Sequence, residues 1–463
     1  MRACVCRVSS VNPELSQGRS RFFPDAKRRH RIFQLALPIL GGMLSQNVMN
    51  LVDTGMVGAL GNEALAAVGL GSFASFMAFA FLMGMGTGVQ AIAARRLGAG
   101  RRAETALPLN GGLLLVLGVG LPGSVLLIWL VPQLYPTLNS DPEVVAMGVP
   151  YLQVRLVAMA GVGMNFAFRG YWNGVNLSRL YMRTLVSMHA CNIFLNWVLI
   201  FGHLGSPALG VTGAGIATAV ATYLGTLHYF VLALRHARGN GFLHRLPDGF
   251  TLRALLRLSV PAGAQQFLFA TGMTTLFWIL GQLGTRELAA ANVITNLTLV
   301  GILPMLGFGL AASSLVGQAL GGGERADAAR WGWEVSRLAL VFVALLELPV
   351  ALFPELFLGI FIHDPETLAL ASLPMRLVAL TLWWDALGTV LLNAHQGAGH
   401  NRRAMAISVS MQWGIFLPLA YLLGPVLGFG LLQIWLANIS YRCVQALIFL
   451  WSWRQGHWAE VRV

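Results

Sequence analysis

Charge is what this chain has least of. Only 11% of its 463 residues are Asp, Glu, Lys or Arg, against roughly a quarter in an ordinary soluble domain. Lysine is nearly missing: Lys27 stands alone, and arginine supplies every other basic side chain. Cysteine is sparse as well. Cys4 and Cys6 lie in a polar N-terminal tail and Cys191 and Cys443 in separate apolar segments. Two close cysteines with no second pair and no neighbouring His fail the spacing of a zinc site. There is no His-Glu-x-x-His run, and His189, His228 and His395 fall on different segments, so metal ligands are not offered in a usual pattern. The first thirty residues lack a uniform apolar core ahead of their basic cluster, which argues against a cleavable signal peptide.

What is present in excess is apolar. Hydrophobic residues make up 56% of the chain, and a membrane-spanning helix needs roughly 20 of them in succession. Twelve such segments are expected, near residues 33–59, 65–94, 106–131, 145–168, 184–202, 211–234, 258–281, 289–316, 333–352, 368–394, 404–423 and 428–451. The chain also repeats itself. Leu35 to Glu143 can be laid on Leu258 to Glu366 at one fixed offset without a gap, with Pro38 on Pro261 and Gly58 on Gly281. Gly84 and Gly86 fall on Gly307 and Gly309, Gly98 and Gly100 on Gly321 and Gly323, and Asp141-Pro142-Glu143 on Asp364-Pro365-Glu366. A period this long, filled with apolar segments, predicts two similar bundles rather than a solenoid. The expected fold is an all-α polytopic membrane protein: two six-helix lobes related by a pseudo-two-fold axis along the membrane normal. A binding cavity belongs between them.

Arginine sets the expected orientation. Arg28, Arg29 and Arg31 precede the first segment, and alternate loops carry Arg95, Arg96, Arg101 and Arg102, then Arg179 and Arg183, then Arg325 and Arg330, then Arg402 and Arg403. The opposite loops hold Asp141, Glu143, Asp364 and Glu366. By the positive-inside bias both termini are cytoplasmic. The net charge of +13 could be taken for a nucleic-acid footprint, but its loop-by-loop alternation fits topology, so no nucleic-acid partner is expected. The implied divisions are a tail 1–31, a first lobe 32–234, a linker 235–257 rich in Arg, Gly and Pro, a second lobe 258–452 and a tail 453–463.

Polar residues within the spans are few and costly enough to be functional candidates. Asp53 shares one helical stripe with Gln46 and Asn50. Its repeat counterpart is Leu276, so the carboxyl breaks the internal symmetry. A carboxylate without a cation near it in sequence favours protonation or a bound ion, which makes Asp53 an ion-coupling candidate and a possible sodium site. Asp385 follows two indoles, Trp383 and Trp384, a combination suited to a cationic, partly aromatic ligand; the competing reading is an acid satisfied by a neighbouring helix. Glu347, before Pro349, reads as an outer-end residue that snorkels or lines a mouth. Asn192 and Asn196 are one turn apart, as are Asn292 and Asn296, while Gln265 and Gln266 mark the seventh segment. These amides can coordinate an ion or substrate, or simply knit helices together. Arg155 and Arg376 occupy matched places in the two halves and read as architecture, and Arg442 is a cation that could pair with Asp385. Gly84, Gly86 and Gly88 imitate a phosphate loop, but no Lys-Ser/Thr follows, so close helix packing is expected.

In order and spacing these features resemble the multidrug and toxic compound extrusion (MATE) transporters. The resemblance runs from Arg31 to Trp453 through Leu35-Ala36-Leu37-Pro38, Leu51-Val52-Asp53-Thr54, Gly58 to Ala67 and Arg96-Leu97-Gly98-Ala99-Gly100. It continues through Arg169-Gly170 with Gly174, Asn192-Ile193-Phe194-Leu195-Asn196, Phe201-Gly202, Pro207 to Ala214, and Asp385 with Gly397 and Gly399. It implies export of organic cations or other toxic compounds in exchange for protons or sodium ions, without a cofactor. It also implies a coupling role for Asp53 and cation binding for Asp385. Two departures matter. Asn196 stands where some members carry a further Asp, and Phe269 where sodium-coupled members often carry Glu, which tilts the expected ion towards the proton. A monomer in the inner (plasma) membrane, contacting lipid and small cationic or amphipathic substrates, is the resulting expectation. The rivals are a flippase for a lipid-linked metabolite, disfavoured by the scarcity of intramembrane arginines, and an intramembrane enzyme, which would need a nucleophile with its base.

Overall fold

The computed structural model describes residues 23–461; Cys4 and Cys6 lie outside them. Among the described residues there is helix and no strand. The first half holds α1 (Ala26–Gly58), α2 (Asn62–Gly98), α3 (Leu107–Leu134), α4 (Pro142–Val157), α5 (Met159–Gly174), α6 (Ser178–Phe201) and α7 (Gly210–His236). The second holds α8 (Gly249–Gly281), α9 (Thr285–Gly321), α10 (Arg325–Leu352), a short α11 (Pro354–Leu358), α12 (Pro365–Gly397), α13 (Asn401–Val409), α14 (Leu417–Tyr421) and α15 (Leu431–Gln455). The repeat is visible in how the helices begin. Asp25 caps α1 and its counterpart Asp248 caps α8, each accepting from a backbone N–H three residues on. Asp141 and Asp364 cap α4 and α12, accepting from the Glu143 and Thr367 N–H groups two and three residues on, and such caps satisfy amides that the first helical turn leaves free. After α2 and α9 the chain turns through Gly100 and Gly323 at φ 76° and 82°, a region only glycine enters cheaply.

Among the described residues ten helices are long and apolar enough to cross a membrane, or eleven if the pair α4 and α5, bent by 46°, is counted as one broken span. The remaining expected segment is α8, 33 residues long, whose Gln265, Gln266, Thr271, Thr274 and Thr275 dilute its apolar character. The helices are longer than the sequence pattern suggests. α8 starts at Gly249, inside the expected linker, because Asp248 caps it there. The single expected segment 145–168 is broken at Ala158, whose N–H turns to the Arg155 carbonyl three residues back. The eleventh segment, 404–423, is not uniform either. π-helical turns at Ser410–Phe416 and Leu422–Val426 flank α14, and wide turns of this kind arise where side chains disturb the regular ladder.

Glycine decides how closely the halves meet. A Cβ on Gly84 of α2 would stand 2.3 Å from the Gly263 nitrogen of α8, so these backbones touch. At the repeat-related crossing Gly307 of α9 meets Leu40 of α1, which stands where the other crossing has Gly263. At the arginine-rich end the contact is symmetric again: Gly98 packs on the Gln318 carbonyl, and Gly321 on the Arg95 carbonyl, with room for no Cβ at either. Side-chain bonds follow the same symmetry. Gln318 donates to the Gly174 carbonyl at the end of α5 at 3.0 Å, and Arg95 to the Ala398 carbonyl at the end of α12 at 2.9 Å. Arg31 adds a bond to Gln318 at 2.7 Å, and Arg28 pairs with Asp327 at 2.5 Å and with Glu334. The hydrogen bonds between halves thus gather at the arginine-rich end. Overpacking such a crossing costs about 1–3 kcal/mol. Gly98→Val is expected to hold the halves apart there, seen as a fall in disulfide cross-linking between Ala94→Cys and Gly317→Cys, whose positions lie 3.0 Å apart at Cβ in the native packing.

Candidate functional site

α1 and α6 run side by side in one register. A separation of 143 residues relates Asp53 to its partner Asn196, and Gln46 to its partner His189. The second half repeats it: Gln265 meets Ser408, and Gln412 meets the Phe269 carbonyl, at the same separation. The polar content is not repeated. Asp53, Asn50 and Gln46 line the α1 side of the first seam, whereas Leu276, Met273 and Phe269 hold the corresponding places of the second. The symmetry of the backbone therefore carries an asymmetric chemistry.

Asp53 is half-buried near the outer end of the first seam. Asn196 Nδ2 donates to its Oδ1 at 2.5 Å. Asn192, with its amide turned so that both ends are satisfied, donates to the same oxygen at 3.0 Å and accepts from the Thr218 hydroxyl of α7 at 3.1 Å. Arg376, the repeat counterpart of Arg155 on α4, pairs with exposed Glu355 at 3.3 Å. Two turns nearer the arginine-rich end, Gln46 donates to Asn50 at 3.1 Å and receives His189 at 3.0 Å. Asn50 itself is exposed. Thus Asp53, Asn192 and Asn196 converge, and Gln46 and Asn50 extend the same stripe. Thr218 and His189 join the site without having been marked as members in the sequence. His189 had a signal, since it lies on the α6 stripe of Asn192 and Asn196 at helical spacing.

The other candidates lie in the second half. Asp385 is buried on α12 and pairs with Arg442 of α15 at 2.8 Å, which gives that arginine its partner. Trp383 and Trp384 stack with ring centres 4.8 Å apart, and the Trp383 indole donates to the Leu380 carbonyl. Gln265 is buried between Ser408 and Gln396, a helix-knitting role, while Gln266 is exposed. Asn296 bonds its helical neighbour Asn292 at 2.7 Å, both exposed. Glu347 does not snorkel. It is 3% exposed, packed against Gly301 of α9, because that glycine leaves the space its carboxyl fills. Cys191 and Cys443 are free and half-buried.

Removing one partner of a buried pair leaves a charge without compensation, at a cost of about 3–5 kcal/mol. Arg442→Met is therefore expected to lower the thermal unfolding temperature in detergent strongly. The double change Arg442→Met with Asp385→Leu should recover most of that loss.

Comparison with known proteins agrees with this architecture. The MatE family pattern matches residues 38–198 and 261–422, once in each half. A probable multidrug resistance protein NorM of Thermotoga maritima is 28% identical over 442 residues, covering 93% of each chain. One from Synechocystis is 28% identical, covering 94% of this chain and 96% of the relative. Among solved structures, an outward-facing multidrug resistance MATE family transporter of the MOP superfamily superposes with a TM-score of 0.85 at 22% identity, over 93% of this chain and 96% of that one. A MOP superfamily transporter from Pyrococcus furiosus gives 0.84 with the same identity and coverage. With two repeated helical halves, a polar seam in one of them and the family pattern in both, this multi-pass membrane chain belongs to the MatE family of multidrug and toxic compound extrusion transporters and is not an enzyme.

Proposed function

We propose that the protein is a secondary antiporter that exports cationic or amphipathic small molecules in exchange for protons, with Asp53 as the carboxyl for which the two compete. The observation that carries this reading is the cluster of Asp53, Asn196, Asn192 and Thr218 on three helices. Amide donors favour the carboxylate, and a proton that removes the charge removes their reason to point inward. An exchange of this kind needs a group that binds both ligands with different affinity in the two facing states. Residues 32–234 and 258–452 are the lobes that alternate, joined by 235–257, and the cavity lies between them. Asn50, exposed beside the cluster, extends the substrate surface of the first lobe. Trp383 and Trp384, with Gln266, Asn292 and Asn296, extend it on the second. The arginine-rich end faces the cytoplasm, in the inner membrane of the cell, and one chain is the working unit. The relatives named as multidrug resistance proteins support this substrate class.

Sodium is the second reading, favoured by the Asp53 carboxylate with the Asn192 and Thr218 side-chain oxygens near it on α6 and α7, which rotation of the Asn192 amide would turn towards one cation. Ethidium efflux from cells under separately imposed proton and sodium gradients tests both. Efflux by the native chain should follow the proton gradient, and Asp53→Asn should slow it about tenfold or more, the size of a typical coupling free energy. Rapid gradient-driven efflux by Asp53→Asn would refute the shared carboxyl.

A further inference from the structure

His189 has no part in the exchange as described, yet its surroundings are unusual for a buried ring. It is 3% exposed, and each nitrogen faces an oxygen: Nδ1 lies 2.8 Å from Ser45 Oγ and Nε2 3.0 Å from Gln46 Oε1. The Gln46 amide is oriented by its own NH2, which donates to Asn50 Oδ1. Its oxygen therefore faces the ring, and Nε2 carries a hydrogen. Ser45 has one hydrogen and two acceptors in reach, His189 Nδ1 and the Gly42 carbonyl at 2.9 Å. A neutral ring takes that hydrogen and leaves Gly42 without it. An imidazolium donates from both nitrogens, and Ser45 turns its hydrogen to Gly42, so that every donor has an acceptor. The site pairs both ring nitrogens in the neutral and in the doubly protonated state, and rotation of one hydroxyl converts one arrangement into the other.

We infer that His189 is a second proton-carrying group of the transporter, receiving the proton that Asp53 releases on its way to the arginine-rich end. This rests on the proton reading of Asp53. His189 and Asn196 are seven residues apart on α6, as Gln46 and Asp53 are on α1, a rise of about 10 Å. Gln46 and Asn50 occupy the interval. Beyond His189 the seam closes: Gly41 and Gly42 pack against Met182, Leu185 and Tyr181, with Cβ positions 2.9–3.1 Å from those side chains. The ring thus stands where the polar seam ends. In the step, the Asp53 carboxyl loses its proton and becomes a carboxylate, and Nδ1 of the neutral ring gains one. Net charge is unchanged and no other reactant is consumed. The ionisable groups on the elements packed around α6 are Asp53 and the terminal run Lys27 to Arg31 on α1, Arg169 and Tyr171 on α5, and Tyr223, His228, Tyr229, Arg235 and His236 on α7; α6 itself carries Arg179, Tyr181, Arg183 and Cys191. His228 meets Ser187 at 3.1 Å rather than the ring.

The full chain reconstituted in vesicles tests this, with ethidium efflux driven by a pH gradient and measured across external pH for the native chain, His189→Gln and Ser45→Ala. His189→Gln should slow efflux about tenfold and flatten its pH dependence while ethidium binding is kept. A merely structural role would lower the rate alike at every pH, which would overturn the inference, as would a variant indistinguishable from the native chain. Should His189→Gln fail to fold, Ser45→Ala carries the test, because it keeps the ring and removes the acceptor that the imidazolium needs; native pH dependence in that variant overturns the inference. Native efflux that ignores the pH gradient would overturn the proton reading and this inference together, whereas a proton-driven native chain with unaffected variants would overturn the inference alone.

Discussion

Within a hydrocarbon layer a polar side chain must find its partner inside the protein, because no water is there to supply one. The register between α1 and α6 is where this chain meets that constraint. It brings Asp53 to Asn196 and Gln46 to His189 at one separation, and each group on one helix is answered by a group on the other. A slip of one residue would turn the stripe of α6 away from that of α1 and leave a carboxyl and an imidazole without partners, at several kcal/mol each by the usual cost of burying unpaired groups, about 2–7 kcal/mol. The seam fixes the first lobe and supplies its chemistry with the same bonds.

The second half keeps the geometry and discards the chemistry. Its α8 and α13 share the register of α1 and α6, but Leu276 takes the place of Asp53. Its acids lie elsewhere. Asp385 is matched by Arg442, and Glu347 is sealed behind Gly301. A paired acid is a poorer proton carrier than one held only by amides, since its cation stabilises the charged form in every state. The halves differ in the partners of their acids rather than in fold.

The junction between the halves is made of backbone. Where Gly98 and Gly321 cross, carbonyl oxygens occupy the space of the absent side chains, and Gln318 and Arg95 each reach a helix end in the opposite half. These contacts are short and gathered at one end, together with the Arg28 pairs to Asp327 and Glu334, so they can be made and broken as a unit. A packed interface of this kind has discrete states rather than a continuum, which is the property that alternating exposure of a cavity requires.

Much of this was legible before any coordinates. Hydropathy set the membrane, the fixed-offset repeat set two halves, and Gly84, Gly86 and Gly88 were marked as packing positions, because apolar length, periodicity and the lack of a Cβ are local properties of the chain. Asp53 and the pair of Asn192 and Asn196 stood out for the same reason: a polar group in an apolar run is conspicuous wherever the run goes. The sequence alone could not say which helix faces which. Gln265 and Gln266 are neighbours along the chain, yet one is buried between Ser408 and Gln396 and the other is exposed. Glu347 looked like a residue at the membrane surface and is buried. His189 looked isolated and is bonded at both nitrogens to α1. In each case the role depends on a contact with a helix distant in sequence, and such contacts are decided by how whole helices pack, not by the residues on either side.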